Sequence, residues 1–384
     1  MSQPSSRLLP LAGLQGAIAT FGGFLAYFIV RGGDVHALFG FTAAILSAAT
    51  GASVLACALG PRLRLGGRQL GRLGFMLPGL AMVAGGASDM VLALSYGSFV
   101  GLTWSARHLL EMSVLSDHER DAYAARSNAL SVASAIAATA LAALLLAKTG
   151  DDLRTLASLY GVLCIAGGLS FGRLLPDTAP VAIVDPLGVV RQKRFAACLP
   201  LLFLESGLCG VTQAVDAAGA AMALHSASGF GWAATVAGLA GGAALFATRR
   251  ARAVDNRARW LGGACAAMAA AFLLLGASAW LPGLYLAAIV LRSAAAPFLT
   301  ASEQVLNQRT LDMHGTLPDR ILAREVVLWS LRMLSLGGFW LAAQHMSPQQ
   351  VLVAGALLMA TAALLEFATG RMLLRRDGRE ARAM

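Results

Sequence analysis

The chain has 384 residues, 57% of them hydrophobic and only 13% charged, with a mean hydropathy of +0.68. A soluble domain carries about 25% charged residues, so water is excluded as the solvent for most of this chain. The formal charge of +10 does not point to nucleic acid, because the basic residues form short clusters between apolar blocks with no aromatic-interleaved basic patch.

A bilayer core about 30 Å thick takes roughly 20 helical residues per crossing. The first apolar run, Leu8 to Val30, has 23 residues, beyond the roughly 7–15 of a signal-peptide core, and reads as the first span. Cutting the remainder at turn residues and charges predicts further spans at about 36–59, 71–87, 90–112, 128–147, 153–172, 196–222, 230–247, 260–280, 283–306, 321–344 and 349–370. The cut at Ser88 and Asp89 is required because Gly71 to Met112 is too long for one crossing at about 1.5 Å per residue. Ser116 to Arg126, SDHERDAYAAR, reads as a solvated loop.

Lys and Arg resist translocation. Of the 30, 23 fall in loops on the side of the N-terminus, 3 on the opposite side (Arg31, Lys148, Arg154) and 4 within spans or at their edges (Arg107, Arg292, Arg324, Arg332). That split predicts both termini in the cytoplasm of a bacterial-type inner membrane. The longest connection carries Pro176, Pro180, Pro186 and the basic RQKR and divides the spans six and six. The domain expectation is a first bundle over 1–172, a cytoplasmic linker over 173–195, a second bundle over 196–372 and a basic tail over 373–384. The basic loop PRLRLGGRQLGR (Pro61 to Arg72) has a counterpart in TRRARAVDNRAR (Thr248 to Arg259), each following the second span of its half. Transporters are commonly built from such repeats. The five cysteines (Cys57, Cys164, Cys198, Cys209, Cys265) lie in apolar blocks without CxxC pairing or a histidine at metal-ligand spacing. They read as reduced, buried thiols, and no metal or cofactor is expected.

Twelve spans as six plus six, a basic central linker and a basic loop after spans two and eight resemble the major facilitator superfamily of secondary transporters across essentially the whole chain. The family's loop pattern, Gly-x-x-x-Asp-basic-x-Gly-basic-basic, is matched at Gly60, Gly67 and Arg68, with Arg64 at the acid's place and Leu65 and Gln69 at basic ones. The second copy retains Asp255, Arg257 and Arg259. The resemblance implies an all-α fold of two six-helix bundles, a cavity lined by spans one, four, seven and ten, and gating roles for Arg68, Asp255 and Arg257. The Gly-Pro-rich fifth span of many drug antiporters is absent from NALSVASAIAATALAALLLAK, Asn128 to Lys148.

An ionisable residue inside a span costs about 2.5–3.5 kcal/mol on insertion scales and therefore faces a cavity or a partner. Arg292 lies mid-depth in span ten and Arg107 at a nearly equivalent place in span four. Guanidinium forks suit carboxylate or phosphate. For Arg107 a local pair with Glu111, four residues on, is the competing reading. In span seven Glu205, Thr212 and Asp216 share one helical stripe with Gln213 at its edge. Glu205, with Asp216 nearer the outer end, is a candidate proton carrier, against a permanent pairing of Glu205 with Arg292 or Arg332. In span eleven Glu325 and Arg332 lie on one face. Arg332 either contacts substrate or neutralises Glu205 or Glu325 as a switch, which makes Glu325 a gating candidate, and Arg324 with Glu325 reads as an interfacial pair. Gln15 in span one reads as a helix–helix hydrogen bonder, and Gly238 with Gly242 as a close-packing step.

The substrate-binding candidates are thus Arg292, Arg332, Arg107 and Gln213. The expected activity is secondary active transport of a small, anionic organic solute by a monomer among membrane lipids, coupled to protons or another ion. Export of an anionic metabolite such as a carboxylate-type metal chelator uses the same chemistry. No GxxxxGK[ST] motif occurs, which argues against ATP hydrolysis. A lipid enzyme would need clustered acids or a His–carboxylate pair, and the adjacent Asp151 and Asp152 have no neighbours for that task. A non-transporting sensor of the same fold is the remaining class.

Overall fold

The computed structural model describes residues 3–32, 35–86, 88–247, 257–308 and 313–383. The first span is two helices, α1 (Gln3–Ala19) and α2 (Phe21–Arg31). Helices α3 (Val35–Leu59), α4 (Gly67–Gly85), α5 (Asp89–Val114), α6 (Asp117–Thr149) and α7 (Leu153–Leu174) complete the first half, and a short α8 (Pro186–Val190) lies in the connection. The seventh span comprises α9 (Lys193–Leu202), a π-helical turn (Phe203–Gly207) and α10 (Cys209–Ala223). It is followed by α11 (Ala227–Ala247), α12 (Arg257–Ala277), α13 (Leu284–Gln308), α14 (Leu317–Ala343) and α15 (Pro348–Ala383). Eight helical segments are long and apolar enough to cross a membrane by length and composition, and Leu284–Thr300 is a shorter apolar stretch. The chain is a multi-pass, all-α membrane protein of two six-helix bundles.

The predicted spans coincide with these helices, with two differences. Ser116 to Arg126 is not a loop: Ser116 N–H and Oγ–H donate to the Glu119 carboxylate (3.2 and 2.9 Å), a capping pair that starts α6 at Asp117. The basic C-terminal tail continues α15 as helix through Ala383.

Two spans, the first of each half, are broken at mid-depth. In the first, α1 ends at Ala19, whose carbonyl accepts from Tyr96 Oη at 2.8 Å. Gly22 sits so close to the Tyr96 ring that a Cβ there would lie 2.5 Å from its hydroxyl. In the seventh, Pro200 cannot donate to the helix ladder, and the π turn follows it. There Arg332 Nε donates to Ser206 O at 3.2 Å and Ser335 Oγ to Gly207 O at 2.6 Å. An unmatched carbonyl in hydrocarbon costs several kcal/mol, so these side chains from α5 and α14 are what makes the breaks tolerable.

The halves meet along two long helix pairs and at the end remote from the termini. Against α6, α11 places Gly231 where a Cβ would stand 2.8 Å from Ala143 Cβ and Gly238 where it would stand 2.8 Å from Ile136. Thr235 Oγ1 donates to Thr139 Oγ1 there at 3.1 Å. Between α3 and α14, Trp329 Nε1 donates to Ser47 Oγ (3.1 Å), and Phe39 and Phe339 lie 5.9 Å apart. At the remote end Asp151 accepts from Arg31 Nη1 (2.6 Å) and from the Ala227 and Ser228 amides (3.0 and 3.1 Å), which open α11. Tyr27 Oη donates to Leu224 O at 3.1 Å, and Phe230 packs edge-on to Phe24 and stacked on Tyr27, each at 5.1 Å. This end is closed by one carboxylate and an aromatic cluster.

Candidate solute cavity between the halves

Two contiguous chambers lie between the bundles. The first, about 400 Å³, is polar and lies toward the ends of the helices that carry the termini. Helix α5 contributes Trp104, Arg107, His108 and Glu111; α6 contributes Arg120, Tyr123, Ser127, Asn128 and Ser131; Glu205, Thr300 and Arg324 face them. The second, about 450 Å³, is mostly apolar: Ala19, Gly23 and Phe24 from the first span, Val132, Ala135 and Ile136 from α6, Phe230, Ala234 and Gly238 from α11, and Ala296 and Pro297 from α13. Both share Asn128 and Thr300, so they form one cleft. Along α6 the lining runs from Arg120 to Thr139, about 28 Å at 1.5 Å per residue. Each chamber alone falls in the roughly 300–1,000 Å³ range of small-molecule sites.

The expected cations are placed differently from one another. Arg107 is on the cavity wall, yet its Nε donates to Glu111 Oε1 (2.6 Å), Nη1 to Gln15 Oε1 (3.1 Å) and Nη2 to Ser127 Oγ (3.3 Å), and its guanidinium sits 5.2 Å from the Trp104 ring centroid. Gln15 Nε2 in turn donates to Thr103 Oγ1 at 3.2 Å. Arg107 therefore closes an internal network within the first half. Arg292 is paired with Asp216 and lies 5.7 Å from the Phe272 ring centroid, all within the second half. Neither residue lines the two chambers described here; in α13 it is Ser293, Ala296, Pro297 and Thr300 that do. The pairing weighed from sequence, Arg292 with Glu205 or a substrate, is replaced by Arg292 with Asp216. Arg332 is spent on the Ser206 carbonyl. Gln213 Nε2 donates to Gly22 O at 3.3 Å, binding the two broken spans to each other at mid-depth.

Glu205 occupies the π turn of the seventh span and lines the polar chamber. A π turn adds a residue to the helix and redirects side chains, and such turns are frequent at functional sites. Arg324 was expected to pair with Glu325. Their nearest charged atoms are 3.9 Å apart, and Arg324 makes no hydrogen bond among the described residues: its Nε is buried without a partner. Its side chain is only 15% exposed and faces the polar chamber. The expected Arg324–Glu325 ion pair is thus present but long, since adjacent residues point about 100° apart on a helix. Asn128, at the junction of the chambers, also makes no hydrogen bond among the described residues. Sequence reasoning did not single it out, because one amide in an apolar span carries no pattern.

Of the gating candidates, Arg68 pairs with Asp177 of the connection (2.6 Å), and the neighbouring Gly67 amide donates to Thr178 Oγ1 (2.8 Å). The connection thus supplies a carboxylate beside a loop whose own acid position is Arg64. Glu325 stands beside Arg324 on α14. Asp255 and the side chain of Arg257 lie outside the described residues.

This arrangement defines the class by fold: a membrane protein with a cleft between two six-helix bundles, the architecture of major-facilitator transporters. Solved structures share the fold. The nucleoside transporter NupG aligns over 97% of this chain and 99% of its own with a TM-score of 0.62 and 12% identity. The human organic anion transporter MFSD10 (TETRAN) aligns over 96% and 100%, with a TM-score of 0.61 and 15% identity. A bacterial homologue of the iron transporter ferroportin, in an inward-facing state, aligns over 97% and 99% with a TM-score of 0.59 and 14% identity. At these identities the likeness is one of fold. No protein-family model matches the chain, and no curated protein matches it in sequence.

Proposed function

We propose that the protein is a secondary active transporter that moves a small organic anion across the membrane by alternating access, with Glu205 carrying the coupling proton. The observation that carries this reading is the cleft itself: it lies between the two halves, is walled by both, and is sealed at the end remote from the termini. With the termini in the cytoplasm, as the Lys and Arg distribution favours, that cleft opens inward. Rocking of one half against the other would break the Asp151 and Tyr27 contacts and carry the site to the outer side.

Glu205 suits proton coupling by position. It is the carboxylate of the polar chamber that sits on the broken seventh span, so its protonation and the packing of that span are adjacent events. The test is Glu205→Gln in proteoliposomes. Uphill accumulation under an imposed pH gradient should be lost while exchange of labelled for unlabelled solute persists; unaltered accumulation rejects Glu205 as the carrier. The solute for this assay comes from a thermal-shift screen of organic acids, phosphates, amino acids and lipophilic cations. A cation hit rejects the anion reading, and everted vesicles give the direction of movement.

A further inference from the structure

We propose that the solute is an amphipathic monoanion, with its acidic head held by Arg324 and Asn128 and its apolar body lodged between Phe24, Val132, Ile136 and Phe230. This rests on the transporter reading and specifies its substrate class.

The head position follows from which charges are already matched. Three arginines and two glutamates line the polar chamber, a formal charge of +1 with His108 neutral. Arg107 and Glu111 neutralise each other. Glu205 and Arg120 each have an interaction of their own. Arg324 is ion-paired with Glu325 at 3.9 Å, beyond hydrogen-bond reach, and its buried Nε has no hydrogen-bond partner among the described residues. A buried guanidinium donor left unmatched is costly, and a carboxylate, sulfonate or phosphate ester supplies what it lacks. A second negative charge on the solute would face Glu111 and Glu205 on the same wall, which selects one acidic group rather than two.

The body position follows from the second chamber. The hydroxyls deepest against the first span and α11 are committed: Thr20 Oγ1 donates to Ala17 O (2.7 Å) and is paired with Tyr160 Oη (2.6 Å), and Thr139 Oγ1 donates to Ala135 O (3.0 Å) and accepts from Thr235, which leaves Ser293 and Thr300 of α13 as the other hydroxyls on that wall. A polar solute would therefore exchange water for walls that offer it little, whereas an alkyl or aryl group gains the full transfer term. The two chambers meet at Asn128 and Thr300, so the head and body of one molecule can occupy both.

The experiment uses purified full-length protein and unbranched alkanesulfonates from ethane- to octanesulfonate, whose head stays ionised and does not cross lipid unaided. Affinity should rise about fourfold per added methylene. Alkyltrimethylammonium ions of the same lengths should not bind. Arg324→Gln should weaken octanesulfonate binding at least tenfold and Arg324→Lys by less. Ile136→Trp, which fills the apolar chamber, should flatten the chain-length dependence, bringing octanesulfonate affinity toward that of ethanesulfonate. Equal affinity for ethane- and octanesulfonate, equal binding of the ammonium series, or absence of binding across the sulfonates overturns the proposal. The two readings fail separately: if succinate or phosphate is transported and chain length has no effect, transport of anions stands and the amphipathic substrate falls. If no anion of any kind is moved by protein that is folded in liposomes, the transporter reading itself falls.

Discussion

Removing the Asp151 carboxylate should open the end of the cleft that is now closed. Asp151 belongs to the turn between α6 and α7 of the first half, with a left-handed backbone (φ 64°) that follows the equally left-handed Gly150. It holds Arg31 and caps the first two amides of α11 in the second half. Arg31 is 41% exposed, so that ion pair contributes under about 1 kcal/mol. The two amides form a helix N-cap, which contributes about 1 kcal/mol. Arg31 and Asp151 both belong to the first half, so only the cap joins the halves, and the latch amounts to about 1 kcal/mol, roughly a fivefold factor in the balance between states.

With Lys148→Cys and His225→Cys as labelling sites at that end in a cysteine-free background, spin-label distance distributions report the open fraction. Asp151→Ala should raise it about fivefold, and Asp151→Asn, which keeps one acceptor oxygen, by less. An unchanged distribution in Asp151→Ala would refute the assignment of this carboxylate as the seal. The pH dependence has a definite sign. Burial pushes the Asp151 carboxyl up, but the Ala227 amide, Arg31 and the Ser228 amide outweigh burial and hold it below the ordinary Asp value. A depressed carboxyl contributes fully above its unfolded pKa of about 3.9 and is lost only as pH falls through the lower folded value. The seal should thus be insensitive to pH from 5 to 8, and a distribution that opens across that window counts against it.

Two further predictions separate structural arginines from solute-binding ones. Arg332→Ala leaves the Ser206 carbonyl of the π turn without its donor and should destabilise the protein by about 1–3 kcal/mol, read as an earlier thermal unfolding in detergent; unchanged unfolding together with lost solute binding would make Arg332 a ligand instead. Arg107 and Glu111 are mutually satisfied at 2.6 Å, so Arg107→Ala and Glu111→Ala should each cost more than their pairing is worth and the double variant less than the sum. The coupling energy expected from a thermal-stability double-mutant cycle is about 1–3 kcal/mol, and a value near zero would show that the pair carries no structural weight.

Helix number and boundaries were legible because apolar run length and interrupting charge are one-dimensional quantities, and hydrocarbon leaves a backbone few alternatives to a helix. The breaks at Thr20 and Phe203–Gly207 were not legible. Pro200 signals a missing donor, but the π turn depends on Arg332 and Ser335, which lie more than a hundred residues away in sequence. The same limit affected the charges. The depth of Arg292 was readable, whereas its partner Asp216 is found only when α10 and α13 are packed. Arg107 and Glu111, four residues apart on one helix, were readable as a local pair because helix geometry alone brings them together. The Arg324–Glu325 ion pair was readable too, whereas the place of Arg324 on the chamber wall is found only when the helices are packed.

The contacts between the halves differ in what a rocking motion demands of them. At the mouth of the cleft, the connection is anchored to the first half by Thr178 on the Gly67 amide. It is anchored to the second by the Val184 and Asp185 amides on Asp319 (2.8 and 3.1 Å). The chain between Thr178 and Val184 can extend to about 20 Å at 3.3–3.6 Å per residue, so both anchors can persist while the mouth widens or narrows. At mid-depth, Gln213 on the Gly22 carbonyl joins the two broken spans through a flexible side chain. At the sealed end contacts must break outright: the two bonds from the Ala227 and Ser228 amides to Asp151, one from Tyr27, and the Phe24, Tyr27 and Phe230 cluster. That asymmetry places most of the barrier to opening on the sealed end. A solute body reaching Phe24 and Phe230 from within touches the same rings that close it, so occupancy of the apolar chamber and release of the seal act on one set of side chains.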